Sequence, residues 1–307
     1  MRFPFLLCVV WVGLLVGATG CSLSPLSKRT ASFATVAVAA TKDSASAYEV
    51  VERSDYDVQV ASLVLNFDKD GFHPETIQPF LSSKDMEART RVLEALKQYA
   101  ETLAEVSGNH PLEEIDTEAA ALGSSLQAIS SNGDLQLLSA NAKFSTEQAG
   151  LAATAVDALG KLLIELKRKQ RLPEILKAMQ EPVNNICSLL EADIGDPEKG
   201  GLRNQLKNNY DTLIVKQQQY LHHYADTMTA SEKRAAIERL PKLAANAKRA
   251  DAALAVTQAS LAQLAKTHTA LVASAGEKES PAFRVLLAEL IEESEQLHGF
   301  YEKVAAN

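Results

Sequence analysis

The sequence predicts an all-α protein, an elongated antiparallel helical bundle with long, coiled-coil-like helices. Three observations carry that expectation. Apolar residues recur at steps of three and four along most of the chain, the spacing of one helix face. Aromatics make up only 6% of a chain that is 46% hydrophobic, and abundant alanine suits helices packed closely through small residues. Strand-like alternation is nearly absent. No repeat of about 20 to 50 residues is visible, which argues against a helical solenoid. The length, 307 residues, suits one large or two ordinary domains. An all-helical domain over 31–307, with a candidate sub-division near 140, therefore follows an N-terminal leader.

The leader occupies residues 1–20. Arg2 gives it a positive start, Phe3 to Val16 is almost uninterrupted apolar sequence, and the small residues Gly17, Ala18, Thr19 and Gly20 follow. The apolar run falls short of the roughly 20 residues a bilayer-spanning helix needs, and Gly17 and Gly20 break it, so a cleaved secretory signal is favoured over a transmembrane anchor. The sequence Ala18-Thr19-Gly20-Cys21 resembles the lipobox of bacterial lipoproteins, with Ala18 where leucine is commonest in that class. The resemblance covers the leader alone. It implies cleavage before Cys21, acylation of the Cys21 thiol by chains such as palmitate, and attachment by lipid rather than by a span. One acyl chain binds only marginally, at about 0.8 kcal/mol per buried methylene, so the three chains usual in this class imply permanent anchoring. Ser22, in place of the aspartate that signals inner-membrane retention, implies the outer membrane, facing the periplasm.

Residues 21–30 are expected to form a lipidated flexible tether, since Ser24, Pro25, Ser27 and the Lys28-Arg29 pair show no pattern. From about Ala31 to Phe67 one Ala-rich helix is expected, with Val51, Val58, Ala61 and Leu65 on a face, ended by Asp68-Lys69-Asp70-Gly71. Met86, Leu93, Leu96, Ala100 and Leu103 predict the next helix, closed at Ser107-Gly108. Leu112, Ile115, Ala119, Leu122, Leu126 and Ile129 predict another. Ser145 and Gln148 make a capping-box start to a helix carrying Ala152, Val156, Leu159, Leu163 and Leu166. After Pro173, the set Leu172, Ile175, Met179, Val183, Ile186 and Leu190 forms a stripe. Asp196-Pro197 is expected to open a helix to about Met228, with Leu206, Tyr210, Leu213, Gln217, Tyr220 and Tyr224 at heptad spacing. After Thr229 a helix to about Ala273 puts Leu254, Leu261 and His268 on one heptad line and Thr257, Leu264 and Leu271 on the other. Ser280-Pro281 opens the last helix, with Leu286, Leu287, Leu290, Ile291, Leu297 and Tyr301 on its apolar face.

Charge and cysteine usage exclude some classes of function. The chain has 31 basic and 39 acidic residues; losing Arg2 with the leader leaves 30 against 39, a net charge of −9. Phosphate-backbone binding needs a basic face, so nucleic acid is not an expected partner. Of three cysteines, Cys8 leaves with the leader and Cys21 carries lipid, so Cys187 stands alone and is read as a buried structural thiol.

Candidate chemistry is sparse. Glu295 and His298 match the Glu-x-x-His element of carboxylate-bridged di-iron bundles, which needs a second copy; the positions three before His73, His110, His222, His223 and His268 supply no glutamate. A solvated pair is therefore favoured. Asn66, Asp68, Asp70 and Gly71 match the start of a calcium loop, but Pro74 and Ile77 stand at its ninth and twelfth positions, so an ordinary turn is preferred. Neighbouring His222 and His223 cannot share a helix face. His268 reads as a hydrogen-bonded core histidine, Lys167-Arg168-Lys169 with Arg171 as compensation of a helix C-terminus, and the Tyr210, Tyr220 and Tyr224 stripe as core. No nucleophile elbow, phosphate-cradling loop or His-Glu-x-x-His occurs. The expectation is a protein with no enzymatic activity, no resident cofactor and no metal site. It is a lipid-anchored envelope scaffold or partner-binding module. The alternatives are a bundle that binds a small apolar or metal ligand, through Glu295/His298 or Asp68/Asp70, and an envelope inhibitor or immunity lipoprotein.

Overall fold

A computed structural model describes residues 24–71, 73–79, 81–107, 157–158, 172–275 and 281–305. Every regular element among them is helical: α1 (Pro25–Asp70), a 3-10 turn (Pro74–Thr76), α2 (Ser83–Ser107), α3 (Leu172–Ile194), α4 (Leu202–Tyr224), α5 (Ala230–Ala273) and α6 (Pro281–Ala305). The leader, Cys21, the helices expected around Leu112–Ile129 and Ser145–Leu166, the basic Lys167–Arg171 cluster, the glycine cap at 108 and the sub-division near 140 lie outside the described residues.

α1 begins earlier than its sequence suggests. The Ser27 N–H donates to Ser24 Oγ at 3.1 Å, and Pro25 occupies the first turn, where its missing N–H costs nothing. Residues 25–30 of the expected tether are thus helical, with Arg29 and Thr30 already buried. At the other end α1 runs through Asn66, Asp68 and Asp70 to Gly71, whose φ of 76° suits a residue without a Cβ and whose N–H donates to Phe67 O at 2.9 Å. The expected turn at Asp68 starts three residues later.

The buried seam of α1 is Thr30, Ala34, Ala37, Thr41, Ser44, Tyr48 and Val51, alternating steps of four and three. Its hydroxyls are satisfied locally, Thr41 donating to Ala37 O at 2.8 Å and Ser44 to Ala40 O at 2.7 Å. Small residues let the neighbouring helices come close. α2 runs back along α1: Glu52 accepts the Leu81 N–H, Tyr48 lies under Arg89, and Phe33 and Tyr99 share His268. Val92, Leu93, Leu96, Tyr99, Ala100 and Leu103 are among its buried residues, and Met86 packs partly against the core.

α3 buries Ile175, Met179, Val183, Ile186, Cys187 and Leu190, as the spacing predicts. It lies antiparallel to α5, since Gln258 donates to Glu191 O at 2.9 Å while Asn184 meets Thr269 at 3.3 Å. The link to α4 corrects the sequence reading, because Pro197 does not open a helix. Asp196 and Gly200 form an isolated bridge, Asp196 Oδ1 accepts the Glu198 N–H at 2.9 Å, and α4 starts at Leu202. The cause is Gly195 and Gly201, at φ 72° and 83°; a Cβ on Gly195 would stand 2.2 Å from Gly200 O.

α5 starts with a capping box in which Thr229 and Glu232 satisfy each other's backbone N–H groups. Ala250, Leu254, Thr257, Leu261, Leu264, His268 and Leu271 are buried along it, including both heptad lines read from the sequence. α6 packs antiparallel on α5, with Gln263 donating to Leu286 O at 3.0 Å and Thr257 meeting the Tyr301 hydroxyl at 3.1 Å. Its buried line is Phe283, Leu290, Leu297 and Tyr301; Ile291, expected on that face, points to solvent at 39% exposure.

Candidate functional site

Most residues singled out by their chemistry serve the core. His268 is buried, its Nε2 2.8 Å from the Tyr99 hydroxyl and its ring against Phe33 and Tyr99, while Nδ1 has no partner among the described residues. Burial lowers its pKa to about 4. The Cys187 thiol is buried, and desolvation with the Glu191 charge pushes its ionisation far up. His298 is 61% exposed and 3.4 Å from Asp43, not joined to a second histidine-carboxylate pair. His222 and His223 are exposed on α4. Among the described residues no group of three or more His, Cys, Asp or Glu is placed to hold a metal ion.

A buried ion pair was not among the features expected from the residues. Arg89 Nε donates to Asp193 Oδ2 at 2.8 Å and Nη2 to Oδ1 at 2.7 Å, a bidentate pair with side chains 0% and 1% exposed. The Tyr48 hydroxyl also bonds Asp193, and the Tyr48 ring lies 5.7 Å from the guanidinium carbon. Desolvation raises the Asp193 carboxyl above its ordinary value, against the pull of Arg89. The cluster ties α1, α2 and α3 together, and every member is inaccessible.

An accessible feature lies elsewhere, where, among the described residues, α1, α4 and α5 extend beyond the other helices. There they enclose a groove of about 910 Å³. Running directions follow from the contacts on its inner side. Ser54 of α1 bonds Asn209 of α4 at 3.2 Å, and Arg203 of α4 bonds Asp251 of α5 bidentately at 2.8 and 3.0 Å. From there α1 and α4 run outward together and α5 returns, joined to α4 by the turn at Thr227 and Met228. The groove spans Leu213 to Tyr224 on α4 and Glu232 to Leu243 on α5, each about 16 Å of wall at 1.5 Å per residue.

Its lining is ordered along that axis. Asp57, Lys216, Arg239 and Lys242 belong to the inner half, whereas Val64, Tyr220, Tyr224, Ala235 and Met228 line the outer half. A second hollow of about 280 Å³ shares Val60, Val64, Tyr220 and Tyr224 and adds Leu63 and Phe67. Among the described residues seven large hydrophobics are exposed, and five of them (Tyr56, Val64, Phe67, Val215 and Ile237) fall on these three helix ends, Val64 and Phe67 in the hollows themselves. Glu232, at the outer end, is engaged by the Thr229 N–H and hydroxyl, both at 2.8 Å. Desolvation raises the Asp57 carboxyl, opposed by Arg53 and Arg239. The tyrosine stripe expected to be core is only half-buried: Tyr220 and Tyr224 form a tilted pair, ring centroids 4.9 Å apart, in the groove wall.

Comparison of the chain with family models, curated proteins and solved structures yields no match. No helix among the described residues is long and apolar enough to cross a membrane.

Proposed function

We propose that the chain is a lipid-anchored cell-envelope protein without enzymatic activity, and that its helices make an elongated antiparallel bundle with coiled-coil-like packing. The groove between α1, α4 and α5 is its docking surface for another envelope component. The observation that carries this reading is the concentration of half-buried aromatics and exposed apolar side chains at that one end. Tyrosine, phenylalanine, methionine and arginine are the residue types that interfaces favour, and here they sit together in a concave surface. The groups with the most perturbed ionisation, Tyr48, Tyr99, Cys187, Asp193 and His268, are buried in the core and leave this surface a binding role.

Anchoring at Cys21 by three acyl chains would put the start of α1 at the outer membrane's periplasmic face. Asp57 lies 32 helical residues from Pro25, about 48 Å along the axis, so α1 is long enough to carry the groove clear of the anchoring membrane. A photo-crosslinking residue at Tyr220, introduced in cells, should give a discrete adduct with a protein or lipid of the envelope, and the same residue at exposed Val285 on α6 should not. Absence of a specific adduct at Tyr220 would overturn the reading.

A further inference from the structure

The order of groups along the groove goes further, to the chemistry of its occupant, and rests on the reading of the groove as the docking surface. We propose that it binds one single-chain anionic amphiphile, with a carboxylate or phosphate head between Lys216, Arg239 and Lys242 and an acyl tail along Val60, Val64 and Tyr220 toward Met228. Three cations face two carboxylates in the lining. Glu232 is engaged by the Thr229 cap. Lys216 and Lys242 make no ion pair among the described residues, and Arg239 acts on the Asp57 carboxyl. The inner half therefore carries positive charge in surplus, although the chain as a whole is at −8. A bound anion removes that local imbalance.

The outer half carries no cation, and its one charged lining group, Glu232, is held in the Thr229 cap. Val64, Ala235 and Met228 offer hydrocarbon, and the Tyr220 and Tyr224 rings flank it, so an acyl chain laid there leaves water at about 25 cal/mol per Å² of apolar surface. Polarity of head and tail thus matches the axis of the groove in one orientation only. The hollow beyond Val60 and Tyr220 extends the apolar end toward Leu63 and Phe67, allowing a longer tail.

The test uses the acylated full-length protein in phosphatidylcholine nanodiscs and a diazirine-bearing palmitate analogue, with labelled sites mapped by mass spectrometry. Saturable labelling at Val60–Phe67 of α1 and Tyr220–Met228 is expected, displaced by palmitate or lysophosphatidate at least tenfold better than by uncharged hexadecanol. Displacement by palmitate alone assigns a carboxylate head, and by lysophosphatidate alone a phosphate head; each supports the proposal. In Lys216→Gln/Lys242→Gln, labelling should fall several-fold, while Lys177→Gln, at an exposed position of α3 outside the groove, retains it. Equal displacement by hexadecanol in the native protein would overturn the proposal whether or not the double variant folds. So would labelling spread evenly to Val285 and Ile291. A Tyr220 crosslink in cells that captures a protein, with no saturable amphiphile labelling, would refute this inference and leave the docking reading standing.

Discussion

Arg89 and Asp193 form an ion pair whose value depends on both partners being present. Removing one leaves a charge in a site where neither side chain exceeds 1% exposure, a loss of about 3–5 kcal/mol. Arg89→Met is expected to lose that much in urea unfolding, while Arg89→Met/Asp193→Leu, which buries no charge, should recover most of it. His268 gives a pH dependence of known sign. Its folded pKa is lowered from 6.5 to about 4 by burial, so the unfolded chain binds the extra proton between those values and stability falls as the pH drops from about 6.5 to 4. At about 1.4 kcal/mol per unit, the 6.5-to-4 shift amounts to roughly 3 kcal/mol. His268→Gln, which keeps a partner for the Tyr99 hydroxyl, should flatten the fall in stability between pH 7 and pH 4 by about that amount, and an unchanged slope would contradict it. His268 was legible as a core residue because it occupies a heptad position. Arg89 and Asp193 were not, because they are 104 residues apart and neither breaks a helical pattern.

At the scale of elements, the turn between α3 and α4 is the point most sensitive to a small change. Gly195→Ala would place a Cβ 2.2 Å from Gly200 O in addition to the positive φ, whereas at Gly200 the φ of 148° is strained but no atom lies within 4 Å. Backbone strain alone costs about 1–2 kcal/mol, so Gly195→Ala should lower the thermal midpoint clearly more than Gly200→Ala. Equal midpoints would show that the turn yields freely. The sequence marked this stop correctly but took Asp196-Pro197 for a helix start, since a cap followed by proline looks the same whether a helix or a tight turn follows. Gly195, Gly200 and Gly201, all at positive φ, decide it, and φ is not written in composition. The early start of α1 escaped for a related reason: Ser24 and Pro25 resemble a linker until the Ser27 N–H is seen on Ser24 Oγ. The seams of α3 and α5 were readable because large apolar residues mark them. Five of the seven residues of α1's seam are Thr, Ser or Ala, which hydropathy alone does not distinguish from a surface.

On the scale of the whole molecule, the groove was the least legible feature, because it arises where three helix ends meet and not within any one of them. Tyr220 reads as an ordinary core position, and its half-exposure follows from which helices are neighbours at that level. The all-helical class, by contrast, followed from periodicity and composition together. The proposed account is that Cys21 holds the protein at the membrane while the helices alone form the docking surface. The most direct test is labelling with radioactive palmitate in cells expressing the native chain and Cys21→Ser, with far-UV circular dichroism of both. The account predicts label and a faster-migrating mature form for the native chain, an unlabelled slower-migrating precursor for Cys21→Ser, and the same helical signal from each. A Cys21→Ser protein that is still processed and still takes up label would contradict it.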